Sequence, residues 1–148
     1  MSERALRTAA LVLALIGVAI STYLAITHSQ DSAPVCVAGG GGCEKVADSE
    51  YSELGGVDVA VFGIVGYVIL AAAALIPGDA GRFTGLLAAL FGFGFSLYLT
   101  YLEFFVIDAI CQWCVASAVV MTALLVIHVL IARRYLGVTT EATASGPD

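Results

Sequence analysis

The residues able to do chemistry in this 148-residue sequence are four cysteines in two pairs. Cys111-Gln112-Trp113-Cys114 is a CxxC, and it opens a long apolar run that reads as a helix. A helix N-terminus carries partial positive charge, which lowers the pKa of a nearby thiol and raises its thiolate fraction. One turn separates the two sulfurs, so they can close a disulfide with little rearrangement. Cys114 lies a turn deeper, within reach of a membrane-soluble reactant, and Cys111 is shallower, within reach of another thiol. Cys36 and Cys43 flank the glycines at 39–42, a stretch loose enough to close a small disulfide ring. The same looseness would let Cys43 swing toward the CxxC when that ring opens. An exposed, mobile dithiol beside a half-buried one makes an electron relay by thiol–disulfide exchange.

On the residues alone, blander readings stay open. Cys36–Cys43 could be a structural staple in a non-enzymatic tetraspan subunit. The CxxC could be a chance match, and four thiols could bind zinc. Zinc is weakened because no second CxxC exists and His28 is the only histidine near the thiols.

The elements that must position these thiols follow from composition. The chain is 60% hydrophobic and 12% charged, with a mean hydropathy of +0.99. That excludes a disordered chain and an ordinary soluble enzyme. With 6 Lys+Arg against 12 Asp+Glu, it also excludes a phosphate-binding nucleic-acid module. Four apolar runs, at 9–26, 59–76, 85–105 and 113–132, are each about long enough to cross roughly 30 Å of hydrocarbon as a helix. The expected fold is all-α, a multi-pass membrane four-helix bundle spanning 1–138. Its helices are expected at about 8–27, 58–76, 84–107 and 111–132, with 139–148 a disordered cytosolic tail. Arg4 and Arg7 precede the first run, but its length and the absence of a clear cleavage site make it a retained helix rather than a signal peptide.

Arg4, Arg7, Arg82, Arg133 and Arg134 all fall on one side of a four-crossing topology, and only Lys45 falls on the other. The positive-inside rule places both termini in the cytosol and all four cysteines on the outer side of the cell membrane. That is the side on which disulfides persist. The outer loop is expected to carry a short amphipathic half-helix over 44–54. No GxGxxG fold is present to bind a flavin or nicotinamide, so a lipid quinone in the bundle is the natural electron sink.

At this point the sequence resembles the vitamin K epoxide reductase family, in its bacterial single-domain form, over about 17–119. The likeness rests on Gly17-Val18-Ala19-Ile20-Ser21-Thr22-Tyr23-Leu24 with His28 in the first helix. It continues through the loop cysteines, Ser49 six residues after Cys43, and Tyr51-Ser52. Phe62-Gly63 and Tyr67 in the second helix and the CxxC at the start of the fourth complete it. In the DsbB type of four-helix thiol oxidase the CxxC lies in the first outer loop; here it comes last.

The resemblance implies a thiol oxidoreductase that supports disulfide formation, with a quinone of the ubiquinone or menaquinone type. Its electron donor would be a thioredoxin-fold, DsbA-like protein acting in trans. It implies that the partner thiolate attacks Cys36, that freed Cys43 attacks Cys111, and that Cys114 is released facing the quinone. Ser49 would position the loop or its half-helix, or alternatively cap a helix. Phe62, Gly63, Gly66, Tyr67 and Trp113 are the expected quinone-binding set, and no metal is expected. Val59 and Ala118 stand where vertebrate members carry an asparagine and a tyrosine that hold the vitamin K head. That departure favours an ordinary respiratory quinone over an epoxide. Glu103 is an ionisable group inside a span, read either as functional or as snorkelling to the interface. Tyr101 is assigned to the interfacial aromatic belt, His128 to packing, and the arginines to topology alone.

Overall fold

The computed structural model describes residues 2–37 and 41–144, with residues 138–144 as backbone only. Its elements are α1 (Glu3–Ser29), α2 (Gly42–Ala47), β1 (Glu53–Leu54), β2 (Val57–Asp58), α3 (Val59–Leu75), α4 (Asp79–Leu102), a π-helical turn (Glu103–Ile107) and α5 (Gln112–Ala144). The four long helices form an all-α bundle. α1 packs on α3 and α5, and α4 packs on the same two, so the helices close a square in the order α1–α3–α4–α5.

The packing is that of a membrane bundle. Along α1 the buried positions are Leu6, Ala10, Ala14, Gly17 and Ser21, spaced to share one face and, after Leu6, all small. Large aliphatic side chains such as Val12, Leu15 and Ile16 point outward. Small residues inward and large apolar ones outward are what helices do when the surrounding solvent is hydrocarbon. α1, the stretch Asp79–Ile107 and the stretch Gln112–Gly137 are each long and apolar enough to cross a bilayer. α3 has 17 residues, the lower limit for a crossing helix. It reaches from Ser21, against which Gly63 packs, to Arg7, whose guanidinium donates to the Ile76 carbonyl at the far end.

Two close approaches set the interior. A Cβ on Gly17 would collide with the ring of Tyr67, and one on Gly63 would lie 2.6 Å from Ser21 Oγ. Tyr67 is 1% exposed, and its hydroxyl meets Ser117 at both Oγ (2.8 Å) and the carbonyl (2.9 Å). One residue of α3 thereby bonds across the square to α5, three residues below Cys114.

The ends are closed locally. Ser2 Oγ accepts from the Ala5 amide, and Asp58 Oδ1 accepts from the Ala60 amide, each capping a helix start. At the end remote from the cysteines, Arg82 bridges Glu3 and Asp79 and lies 4.7 Å from the centre of the Tyr135 ring. The sequence reading gave Arg82 only a topological role; it also ties α1 to α4. His128, expected to be a packing residue, is buried against Gly85.

The expected half-helix over 44–54 is corrected in both extent and position. The helix is Gly42–Ala47 and stops at Asp48. Glu53–Leu54 and Val57–Asp58 then pair as a minimal antiparallel hairpin. Gly55 and Gly56 turn it with φ of +64° and +81°, angles that favour glycine and match the primed hairpin turns. The last helix also runs further than expected, to Ala144, because nothing in Val138–Ala144 breaks a helix before Gly146-Pro147. Residues 145–148 of the expected tail and residues 38–40 of the glycine stretch lie outside the described residues.

Candidate active site

Cys36 and Cys43 are joined as a disulfide with their Cα atoms 6.1 Å apart. Cys111 and Cys114 are free thiols. Pairing two of the four thiols removes them from the zinc alternative. The joined pair is asymmetric: Cys43 is buried on the first turn of α2, whereas Cys36 is half-buried in the extended segment before it. An incoming thiolate therefore has its easier approach to Cys36.

The two residues inside the CxxC hold that segment. Gln112 Oε1 accepts from the Val37 amide at 3.1 Å. Trp113 Nε1 donates to the Val35 carbonyl at 2.9 Å. The Val35 amide donates to the Tyr23 hydroxyl at 3.0 Å, and the rings of Tyr23 and Trp113 lie 5.0 Å apart. The residues on either side of Cys36 are thus pinned to the top of α5 by the CxxC itself. Gln112 was not among the residues singled out from sequence, because its type carries no redox signal and only its neighbours in space reveal the role.

α2 is seated on the approach to the CxxC. Gly42 lies so close to the Ile110 carbonyl that a Cβ there would collide with it. Gly42 precedes Cys43 and Ile110 precedes Cys111, so this contact brings the two cysteine-bearing turns together. Ser49 closes the other end of α2: its hydroxyl donates to the Val46 carbonyl at 2.7 Å. It acts at the C-terminus of that helix rather than as an N-cap.

Cys111 is the residue before α5, and its carbonyl accepts the Val115 amide at 3.0 Å. Its thiol is held down to about 7, chiefly by a hydrogen bond from the Cys114 thiol. Burial opposes this. The backbone amides of Cys114 and Trp113 assist, and the charge of Glu103 opposes. The amides at the start of α5 therefore contribute, as at any helix N-terminus, but the partner thiol is the larger cause.

Glu103 does not snorkel. It is 4% exposed, and its Oε2 accepts the Cys111 amide at 3.2 Å. Its carboxyl also hydrogen-bonds the Cys114 thiol. Two backbone features aim it. The chain widens into the π-helical turn Glu103–Ile107, then reverses at Asp108 with φ of +52°. π-helical turns are rare and concentrate at functional sites. Beside the turn, a cavity of about 650 Å3 is lined by Cys36, Lys45, Glu103, Phe104, Asp108 and Gln112, among others.

The expected quinone-binding residues fall on two faces of α3 and at the top of α5. Phe62 and Gly66 share the outward face: Phe62 is exposed with its ring 6.4 Å from that of Phe95, and Gly66 leaves open space. Gly63 and Tyr67 point inward and make the close contacts with α1 described above. Trp113 stands between Tyr23 and the loop.

The family model for the vitamin K epoxide reductase family matches residues 8–129. The chain belongs to the vitamin K epoxide reductase family. Membership makes it a membrane oxidoreductase, and quinones are the compounds with which this family acts. The matched segment covers all four cysteines, Glu103 and the four-helix core.

Proposed function

We propose that this protein is a bacterial thiol oxidase that passes electrons from a thioredoxin-fold, DsbA-like partner to a lipid quinone. In this reading it supports disulfide formation outside the cell membrane, with both termini cytosolic and the cysteines outward, the orientation that the arginine distribution favours. The observation that carries it is the seating of Gly42 on Ile110, which sets the Cys43 turn against the lead-in to Cys111.

The exchanges balance in thiols and disulfides. A partner thiolate attacks Cys36 Sγ, the Cys36–Cys43 bond breaks, and Cys43 leaves as thiolate. The partner's second thiolate then attacks its own sulfur in that mixed disulfide, leaving the partner oxidised and Cys36 reduced. Cys43 attacks Cys111 in the oxidised CxxC and releases Cys114, and Cys36 resolves the Cys43–Cys111 bond. The loop pair is then joined again and two electrons rest on Cys111 and Cys114. The arrangement in the structure, loop disulfide and CxxC dithiol, corresponds to that stage.

A quinone, of ubiquinone or menaquinone type, suits the chemistry of the outward face of α3. Phe62 and Phe95 offer flat apolar contact, and Gly66 leaves the room that a side chain would fill. Phe62 and Gly66 would hold the ring, while Gly63 and Tyr67 would support it from behind by fixing α3. When bound, the quinone supplies the acceptor for two electrons and two protons. The testing experiment is quinone reduction by the purified protein supplied with a reduced thioredoxin-fold protein. The account requires reduction by the wild type and its loss in Cys114→Ala; an undiminished rate in that variant would sink it. Supplying a vitamin K epoxide instead should give little turnover, since Val59 and Ala118 offer no polar group to the head.

A further inference from the structure

Glu103 is a buried carboxyl touching the dithiol on one side and, on the other, lining a cavity that also holds Lys45 and Asp108. Its two contacts at the CxxC, with the Cys111 amide and the Cys114 thiol, come from the first residues of α5 and their lead-in. The cavity is lined by the charged side chains of Lys45 and Asp108 beside the apolar Phe104 and Ile110. A carboxyl inside a span has a large desolvation cost and persists where it has work to do. Here the π-helical turn and the reversal at Asp108 both act to bring it inward.

We propose that Glu103 is the proton-transfer residue of the CxxC, exchanging the Cys114 proton with the water of the loop cavity. The inference rests on the relay reading for its direction but not for its chemistry. In the relay step, Cys43 thiolate bonds to Cys111 Sγ, the Cys111–Cys114 bond breaks, and Cys114 leaves with the electron pair. Protonated Glu103 gives its proton to that sulfur, leaving a carboxylate and a Cys114 thiol. In the opposite sense, the Glu103 carboxylate takes the Cys114 proton and no electron moves. General acid or base assistance of this kind is worth roughly 10²–10⁴-fold in rate. The titratable groups that act on Glu103 are Cys111 and Cys114 from the α5 side, and Lys45 from α2 and Asp108 from the turn line the same cavity.

The test uses neither quinone nor partner. The full-length protein with its CxxC oxidised is reduced by dithiothreitol in single turnover, followed by Trp113 fluorescence across a pH series in water and deuterium oxide. Glu103→Gln keeps the size and one acceptor but cannot carry the proton. Its reduction should be at least tenfold slower, with the solvent isotope effect gone and with it the alkaline limb of the wild-type pH profile, where a general acid has lost its proton. Glu103→Asp should retain both at a lower rate. Wild-type rate, pH limb and isotope effect in Glu103→Gln would overturn the proposal. A uniform slowing of both variants with the limb intact in each would overturn it equally, since that is the mark of packing alone. If Glu103→Gln does not fold, Glu103→Asp decides: loss of the limb in that folded variant refutes the role. Failure of quinone reduction in the assay above would leave this result standing, so the two readings fail separately.

Discussion

Cys114→Ala should do more than stop turnover: it should change the acidity of the cysteine that remains. In the dithiol protein Cys111 ionises near pH 7 against an ordinary 9.0, and the Cys114 thiol is the largest cause. At pH 7 about half of Cys111 is then thiolate, against about 1% for an unperturbed thiol, a gain of roughly fiftyfold. A less basic thiolate is a poorer nucleophile, and a Brønsted slope of about 0.45 takes back roughly eightfold over two pKa units. The net rate advantage at pH 7 is only about sixfold, so the position of the titration is a sharper test than any single rate. The shift itself is worth roughly 3 kcal/mol between the two protonation states.

The assay is a pH titration of thiolate absorbance in the far ultraviolet with the Cys36–Cys43 bond intact, which needs no reagent to reach a sulfur that is 2% exposed. The wild type should show its first thiolate with a midpoint near 7, and Cys114→Ala should move it upward by about a unit or more. The sign carries over to stability. A folded-state value below the unfolded one means that the dithiol form gains stability above pH 9 and loses that gain as pH falls through 7. A wild-type midpoint near 9, or a Cys114→Ala midpoint still at 7, would refute this account of the site.

Three further outcomes follow from the packing. Gly17→Ala pushes a methyl group into the Tyr67 ring and should cost about 1–3 kcal/mol in thermal unfolding. Combining it with Tyr67→Leu should cost less than the two changes added, because the space is returned. Trp113→Phe removes the donor to the Val35 carbonyl, worth about 1 kcal/mol. Limited proteolysis should then cut the segment around Cys36 faster without altering the bundle. Gly55→Ala and Gly56→Ala each force a Cβ into a left-handed backbone at roughly 1–2 kcal/mol. Hydrogen exchange at the Val59 amide, which donates to the Ser52 carbonyl, should accelerate in either variant.

The parts of this molecule governed by hydrophobic run length were readable from sequence, because four apolar stretches admit few arrangements in lipid. The pairing of Cys36 with Cys43 was readable for a similar reason, since they lie seven positions apart and little chain needs to be ordered. What escaped was set by backbone geometry. Nothing in Glu103-Phe104-Phe105-Val106-Ile107 distinguishes a π-helical turn from an α-helical one, yet that turn carries the carboxyl inward to the dithiol. The only sequence trace was a lone acid eight residues before Cys111, and snorkelling accounted for it equally well. Amphipathic spacing continues past Asp48 in the sequence, although the half-helix itself ends at Ala47. Gly55-Gly56 made a hairpin the better use of those residues. Gln112 shows the same limit, since a neutral amide gains its meaning only from the Val37 amide beside it.

The central claim is that electrons pass from the loop pair to the CxxC through a bond between Cys43 and Cys111. The most direct measurement is mass spectrometry of the double variant Cys36→Ala, Cys114→Ala after mild oxidation in the membrane, under non-reducing conditions. With both resolving thiols gone, the account predicts that an intramolecular Cys43–Cys111 disulfide accumulates as the main species. Two free thiols, or crosslinks formed only between molecules, would contradict it.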